Sequence, residues 1–177
     1  HESIAKTFKA NGYKTAYIGK WHVYGSPAGG FEHRNSPIPA DYRLGFDYWQ
    51  GNECNHNYNQ SPYYLNDTTT QQIWEGYDAF AQTKKARRLI KSFASDSQPF
   101  LLMLSWGPPH DPYHTAPEEF KELYQGVDIK IPENVPEEHK EKARNQLHGY
   151  YSHISALDQC LKMIMKCLKR NQLERNT

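Results

Sequence analysis

Lys20 and His22 stand two residues apart directly after Gly19, at the end of the apolar run Ala16-Tyr17-Ile18. Glycine lets a chain leave a strand sharply, and side chains of extended backbone alternate, so Lys20 and His22 can enter one pocket. A lysine there offers a compact cation to an anionic oxygen, and a histidine a hydrogen bond beside it. A second histidine, His110, lies in the loop Ser105-Trp106-Gly107-Pro108-Pro109-His110-Asp111-Pro112. An imidazole titrates near pH 6.5 in its ordinary state, which suits general acid and base work at neutrality. A third group, Asn55, His56 and Tyr58, falls within Glu53 to Tyr64. Amide, imidazole and phenol together supply hydroxyl hydrogen bonds and a stacking face, the needs of a bound sugar. Cys54 and His56 are two potential metal ligands without further Cys or His at standard spacing, so no metal ligand set is read.

The elements that must position these residues follow from periodicity. Ser3 to Asn11 reads as a short helix with Ile4 and Phe8 on one face and Asn11-Gly12 as its stop. Tyr13 to Ile18 reads as a strand ending at Gly19. Residues 23–77 are dense in Gly, Pro, Asn, Asp and Tyr and read as a long irregular insertion, with a role in substrate choice. Asp78 to Ser95 has helical spacing, and Phe100 to Leu104 is a continuous apolar run expected of a parallel strand buried on both faces. A last helix is expected from near Pro136 to about Asn171, with Leu147, Tyr150, Ile154, Leu157, Leu161, Ile164, Met165 and Leu168 forming one apolar stripe. The pattern is α/β, and Lys20 and His110 both follow strands, where open α/β sheets bind ligands. Two strands make a poor sheet, which implies that further strands complete it.

Composition narrows the function. With 21 Lys and Arg against 20 Asp and Glu in 177 residues, and no block of one sign, a nucleic-acid partner is not expected. No stretch approaches the ~20 apolar residues of a transmembrane helix. Thirteen Tyr and four Trp favour a folded chain with an aromatic-rich surface. Cys160 and Cys167 are seven residues apart on one helix, too far for a disulfide, and Cys54 has no evident partner.

Longer runs around these residues carry a resemblance. Gly12-Tyr13-Lys14-Thr15-Ala16-Tyr17-Ile18-Gly19-Lys20-Trp21-His22 resembles the second signature of the sulfatase family, and Ser105 to Pro112 is similar to that family's strand-to-loop element ending in His-x-Pro. Tyr150 to Asp158 resembles the long helix before the family's last core strand, with His153 a packing or surface residue. The resemblance implies a mostly parallel alkaline-phosphatase-like fold, and places residues 1–177 in the central portion of a single catalytic domain. It implies catalytic roles for Lys20 on a sulfate oxygen, His22 beside the nucleophile and His110 in protonating the leaving alcohol. Glu53 to Tyr64 resembles a stretch of carbohydrate sulfatases, which assigns Asn55, His56 and Tyr58 to substrate binding.

The family also uses calcium and a formylglycine made from the Cys or Ser of a Cys/Ser-x-Pro-x-Arg run. None of Cys54, Cys160 and Cys167 begins such a run, and the paired carboxylates that hold calcium are not recognisable here. The expected reaction of the intact enzyme is hydrolysis of a sulfate monoester, on a small molecule or a glycan, with the rest of the catalytic domain as partner. Phosphate or phosphonate monoester hydrolysis on the same fold, or a non-catalytic sugar-binding module, are the alternatives. A polymeric sulfated substrate implies export to a periplasmic, extracellular or lysosomal site.

Overall fold

A computed structural model describes residues 2–25 and 32–177. Helix α1 (Ile4–Ala10) is capped by Ser3, whose hydroxyl accepts from the Lys6 N–H at 3.2 Å and also donates to the Leu44 carbonyl. A turn at Gly12, φ +83°, leads into strand β1 (Lys14–Lys20). Then come β2 (Tyr48–Asn52), β3 (Pro62–Leu65) and β4 (Gln72–Ile73), helix α2 (Asp78–Ala94), β5 (Phe100–Ser105), the short α3 (Glu118–Lys121) and the long α4 (Lys140–Arg170).

The strand order is β4-β3-β2-β1-β5. Strand β1 runs parallel to both neighbours, β2 and β5, while β2–β3 and β3–β4 are antiparallel. The sheet is therefore parallel at its centre and mixed at the β3–β4 side. Alternation along β1 divides the core. Tyr17 packs with Ala5 of α1, Trp21, Phe46 and Trp49 on one face, and Ile18 packs with Trp74 and Ala86 of α2 on the other. Tyr17 and Trp49 stack at 4.9 Å, and Trp21 meets both rings edge-on.

Three expectations are corrected. Residues 23–77 are not wholly irregular: they contribute β2, β3 and β4 to the sheet. In the run Tyr-Trp-Gln-Gly-Asn of β2 only the first two residues favour a strand, so pairing with β1 carries the strand through Gly51 and Asn52. Strand β5 is not buried on both faces. It pairs with β1 alone among the described residues, and Met103 is 38% exposed. Third, the buried side of α4 is only partly the anticipated stripe: Leu168 is buried and Leu147, Tyr150, Leu157 and Ile164 are partly buried, but Ile154, Leu161 and Met165 are exposed, and Gly149, Ser152, His153, Ala156, Cys160 and Cys167 fill the rest of the buried face. The small side chains let α4 come close to its neighbours: a Cβ on Gly149 would sit 2.5 Å from the Tyr113 carbonyl oxygen. All three cysteines are free and buried.

Candidate active site

The carboxyl ends of β1 and β5 lie side by side, and their loops carry the chemistry. Gly19 makes that adjacency possible. It has φ +114°, and a Cβ there would fall 2.0 Å from the Ser105 carbonyl oxygen of β5. Lys20 is the last residue of β1, and the next two amides continue onto the end of β2 and the residue after it, Trp21 N–H to Asn52 O and His22 N–H to Glu53 O, both at 2.8 Å. Glu53 is buried, and its carboxylate accepts from the N–H groups of Tyr24 at 3.1 Å and Gly25 at 2.9 Å, so it pins the chain leaving β1. Glu53 was not singled out in the sequence. Its role depends on β2, which propensity does not reveal.

His56, on the loop after β2, bridges the two strand ends. Its Nε2 lies 3.4 Å from Lys20 Nζ, and its ring faces that of His110 at 4.4 Å between centroids. Three of the sequence-predicted residues, Lys20, His56 and His110, thus come together. His110 is about half exposed and its Nδ1 is 2.7 Å from Asp111 Oδ1. At the other nitrogen of His56, Arg34 Nη2 stands 3.5 Å from Nδ1. Burial, then the neighbouring Lys20, His110 and Arg34, push the His56 imidazole below its ordinary pKa and hold it neutral at physiological pH. Sequence reasoning missed Arg34, because nothing in the spacing of residues 34 and 56 marks them as neighbours.

The remaining candidates take other places. His22 is exposed in the left-handed region, φ 56°, and its ring has no partner among the described residues. Asn55 bonds the Ser61 hydroxyl at 2.9 Å and the Asn57 carbonyl at 3.2 Å, which shapes its own loop. Tyr58 is fully buried rather than facing a ligand, and its hydroxyl is shared between the carbonyls of His110 at 2.9 Å and Asp111 at 3.0 Å. Its ring leaves no room for a side chain at Gly107, where a Cβ would be 2.8 Å away. Buried His153 lies beside it. Tyr77 hydroxyl meets its Nδ1 at 2.6 Å, and its Nε2 is 3.4 Å from the Pro112 carbonyl oxygen. A neutral ring donating from Nε2 and accepting at Nδ1 satisfies both contacts. The loop carrying His110 is therefore held from beneath by Tyr58 and His153.

An open groove of about 630 Å³ continues from Asp111 toward the start of α4, lined by Tyr113, His114, Glu138, Glu141 and Asn145 among others. A family model described as Sulfatase matches residues 1–177. The chain belongs to the sulfatase family. It is 37% identical over 174 residues to the ulvan-active sulfatase of Formosa agariphila, covering 98% of this chain and 33% of that protein. It is 25% identical to the endo-4-O-sulfatase of Bacteroides thetaiotaomicron, covering 99% of this chain and 38% of that one. The crystal structure of yidJ from Bacteroides fragilis superposes with a TM-score of 0.83 at 27% identity, covering 97% of this chain and 40% of its own. This sulfatase chain thus spans roughly a third of the length of those curated relatives.

His56, His110 and Asp111 have ligand atoms within 4.8 Å of one another. They do not fit the family's calcium, which takes six to eight oxygen ligands. They supply one carboxylate and two imidazoles, and a cationic side chain stands at each nitrogen of His56. Lys20 beside His56 disfavours a divalent cation at that ring. Nor does any cysteine fit the formylglycine position. Cys160 and Cys167 are buried under α4, and Cys54, buried and 3.7 Å from His56 Nε2, begins a Cys-Asn-His-Asn-Tyr run.

Proposed function

We propose that the whole protein hydrolyses sulfate monoesters on a carbohydrate, and that this chain supplies the half of the site that binds the sulfate and moves the proton. The convergence of Lys20, His56 and His110 at the carboxyl edge of two adjacent parallel strands carries this reading. Lys20 neutralises a sulfate oxygen, neutral His56 adds a hydrogen bond, and half-exposed His110 gives its proton to the departing sugar oxygen. His22 reaches toward the nucleophile. The groove beyond Asp111 offers carboxylates, an amide and the Tyr113 ring, which suit the hydroxyls and face of a sugar.

The relatives named for ulvan and for an endo-acting 4-O-sulfatase support a polymeric, sulfated glycan as the substrate class. In the whole enzyme, calcium and formylglycine would come from residues outside this chain. A glycan substrate of this kind also argues for export.

The test is turnover of an aryl sulfate beside an aryl phosphate by the whole protein, with Lys20→Ala and His110→Ala variants. Sulfate turnover should exceed phosphate turnover, and each variant should lose about 3–4 kcal/mol of barrier stabilisation, several hundredfold in rate. Faster phosphate cleavage, or either variant turning over sulfate at the wild-type rate, would overturn the assignment.

A further inference from the structure

The basic residues of α2 stand apart from the site described above. Ala81, Lys84, Lys85 and Arg88 follow at i, i+3, i+4 and i+7, so they form one stripe along the helix. That stripe lines a cleft of about 300 Å³ together with groups from the sheet side: Gln50 of β2, Tyr63 of β3 and Trp74 just after β4. The cleft shares no residue with the cluster of Lys20, His56 and His110.

In a chain of formal charge +1, this gathering of cations is uncompensated. Lys84 and Arg88 are exposed, and neither they nor Lys85 form an ion pair among the described residues. Glu75 also lines the cleft and pairs with none of them. Lys84 and Arg88 are like charges at i, i+4, which repel across one helical turn. Lys85 lies over the Tyr48 ring at 5.3 Å, and burial, then Arg88, push its amine below the ordinary pKa. Gln50 is 4% exposed; its amide oxygen accepts from the Tyr48 hydroxyl at 2.6 Å, and its two N–H donors have no protein partner among the described residues. Charge and free donors with a single carboxylate complement a ligand that brings several anionic oxygens. Lys84 and Arg88 are separated by about 6 Å along the helix axis, so anionic groups at that spacing on one ligand meet both. The half-buried Tyr63 ring, packed 4.2 Å from Trp74, adds a face for a sugar ring.

We propose that this cleft is a second binding site for sulfated glycan, in which Lys84, Lys85, Arg88 and Gln50 hold sulfates of the chain away from the place of cleavage. It makes the protein prefer a polymer over a small sulfate ester. The choice of a glycan among polyanions rests on the sulfatase reading above.

The test measures binding apart from turnover. Calorimetry uses the whole protein carrying Lys20→Ala and His110→Ala, which removes the anion contacts of the first site. The probe is a sulfated glucan oligosaccharide, beside the same oligosaccharide without sulfate. The sulfated probe should bind and the unsulfated one should not; equal binding of the two would overturn the proposal. Adding Lys84→Gln, Lys85→Gln and Arg88→Gln should weaken binding ~10-fold or more. A charge-conserving set, Lys84→Arg, Lys85→Arg and Arg88→Lys, should bind as the parent does. So should Lys162→Gln, Lys166→Gln and Lys169→Gln, which remove equal charge from exposed positions of α4. Binding that survives the α2 substitutions, or that falls as far with the α4 set, would overturn the cleft as the site. Tighter binding of a single-stranded oligonucleotide or of phosphatidylserine vesicles would overturn glycan as its ligand. In the otherwise wild-type protein, the α2 substitutions should raise KM for a sulfated polysaccharide and leave aryl sulfate turnover unchanged. Absence of aryl sulfate turnover in wild type, beside binding that depends on α2, supports the cleft and counts against the sulfatase reading alone.

Discussion

Tyr58 shows how a residue chosen for one task performs another. Its Asn- and Tyr-rich surroundings suit a sugar, yet its hydroxyl lies fully buried between the carbonyls of His110 and Asp111. Tyr58→Phe keeps the ring against Gly107 and removes only that donor. Unfolding measurements should show a loss of about 1–2 kcal/mol, the cost of leaving part-buried acceptors without their partner. Turnover by the whole protein should fall as well, because the His110 loop loses an anchor. An unchanged stability would mean that water replaces the phenol. Asp78 is a second buried group with a measurable consequence. Burial pushes its carboxyl up to about 7, against bonds to Ser61 and the Ala79 amide that pull it down. The folded state thus keeps a proton that the unfolded chain gives up between about pH 4 and 7, and stability falls as pH rises through that window. Asp78→Asn removes this dependence. The variant should gain on wild type from pH 4 to pH 8, at up to ~1.4 kcal/mol per pH unit, read from urea unfolding at each pH. A difference that stays flat with pH would show that the carboxyl remains charged in the fold.

At the scale of elements, the pairing of β1 with β5 decides whether Lys20 and His110 meet. That pairing passes through Gly19, whose position admits no Cβ against the Ser105 carbonyl. Gly19→Ala should cost about 3 kcal/mol or more, since backbone must shift and a positive φ is imposed on alanine. Gly12, also at positive φ but with nothing within 4 Å of an added Cβ, is the internal control. Gly12→Ala should cost only about 1–2 kcal/mol, the conformational penalty alone. Chemical denaturation of the two variants separates the contributions, and equal losses would refute the close-approach argument. On the other face, α4 closes over α2 through Ala156 and Cys160, and it is this helix that brings His153 under Pro112.

At the scale of the molecule, the proposed arrangement offers groups able to bind an anion and move a proton, and no cysteine of this chain opens a Cys-x-Pro-x-Arg run that would supply the group attacking sulfur. The 177-residue chain by itself should therefore hydrolyse no sulfate ester, with or without calcium, whereas the whole protein, on the proposed function, should. The measurement is aryl sulfate and sulfated-glycan turnover by both, with circular dichroism confirming that the shorter chain is folded. Turnover by the chain alone at a comparable rate would reveal a nucleophile among its own residues. The open face of β5 at Met103 and the exposed Ile154, Leu161 and Met165 of α4 are apolar surface of a kind that further packing ordinarily covers.

Much was legible from local pattern. The run Gly12 to His22, the apolar Phe100 to Leu104 and the spacing of Asp78 to Ser95 announce α1, β1, β5 and α2 nearly at their bounds, because periodicity and glycine signals are local properties of the chain. Lys20 and His110 stand out as candidates for the same reason, one at the end of a strand and the other in the loop after one, each in a recognisable run. What lay beyond sequence was long-range. Strand β2 exists because β1 offers it a ladder, and neither its composition nor its spacing says so. The buried face of α4 includes small residues, Gly149, Ser152 and Ala156, that hydrophobicity does not mark, while Ile154, Leu161 and Met165, which it does mark, are exposed. The meeting of Arg34, His56 and Lys20, and the removal of Tyr58 from the ligand to the support of His110, depend on loops from three separate strands folding over one edge. Residue types and their order announced which chemistry is present. Only the tertiary fold decided which groups touch, since contacts between residues 20, 34, 56 and 110 have no signature along the chain.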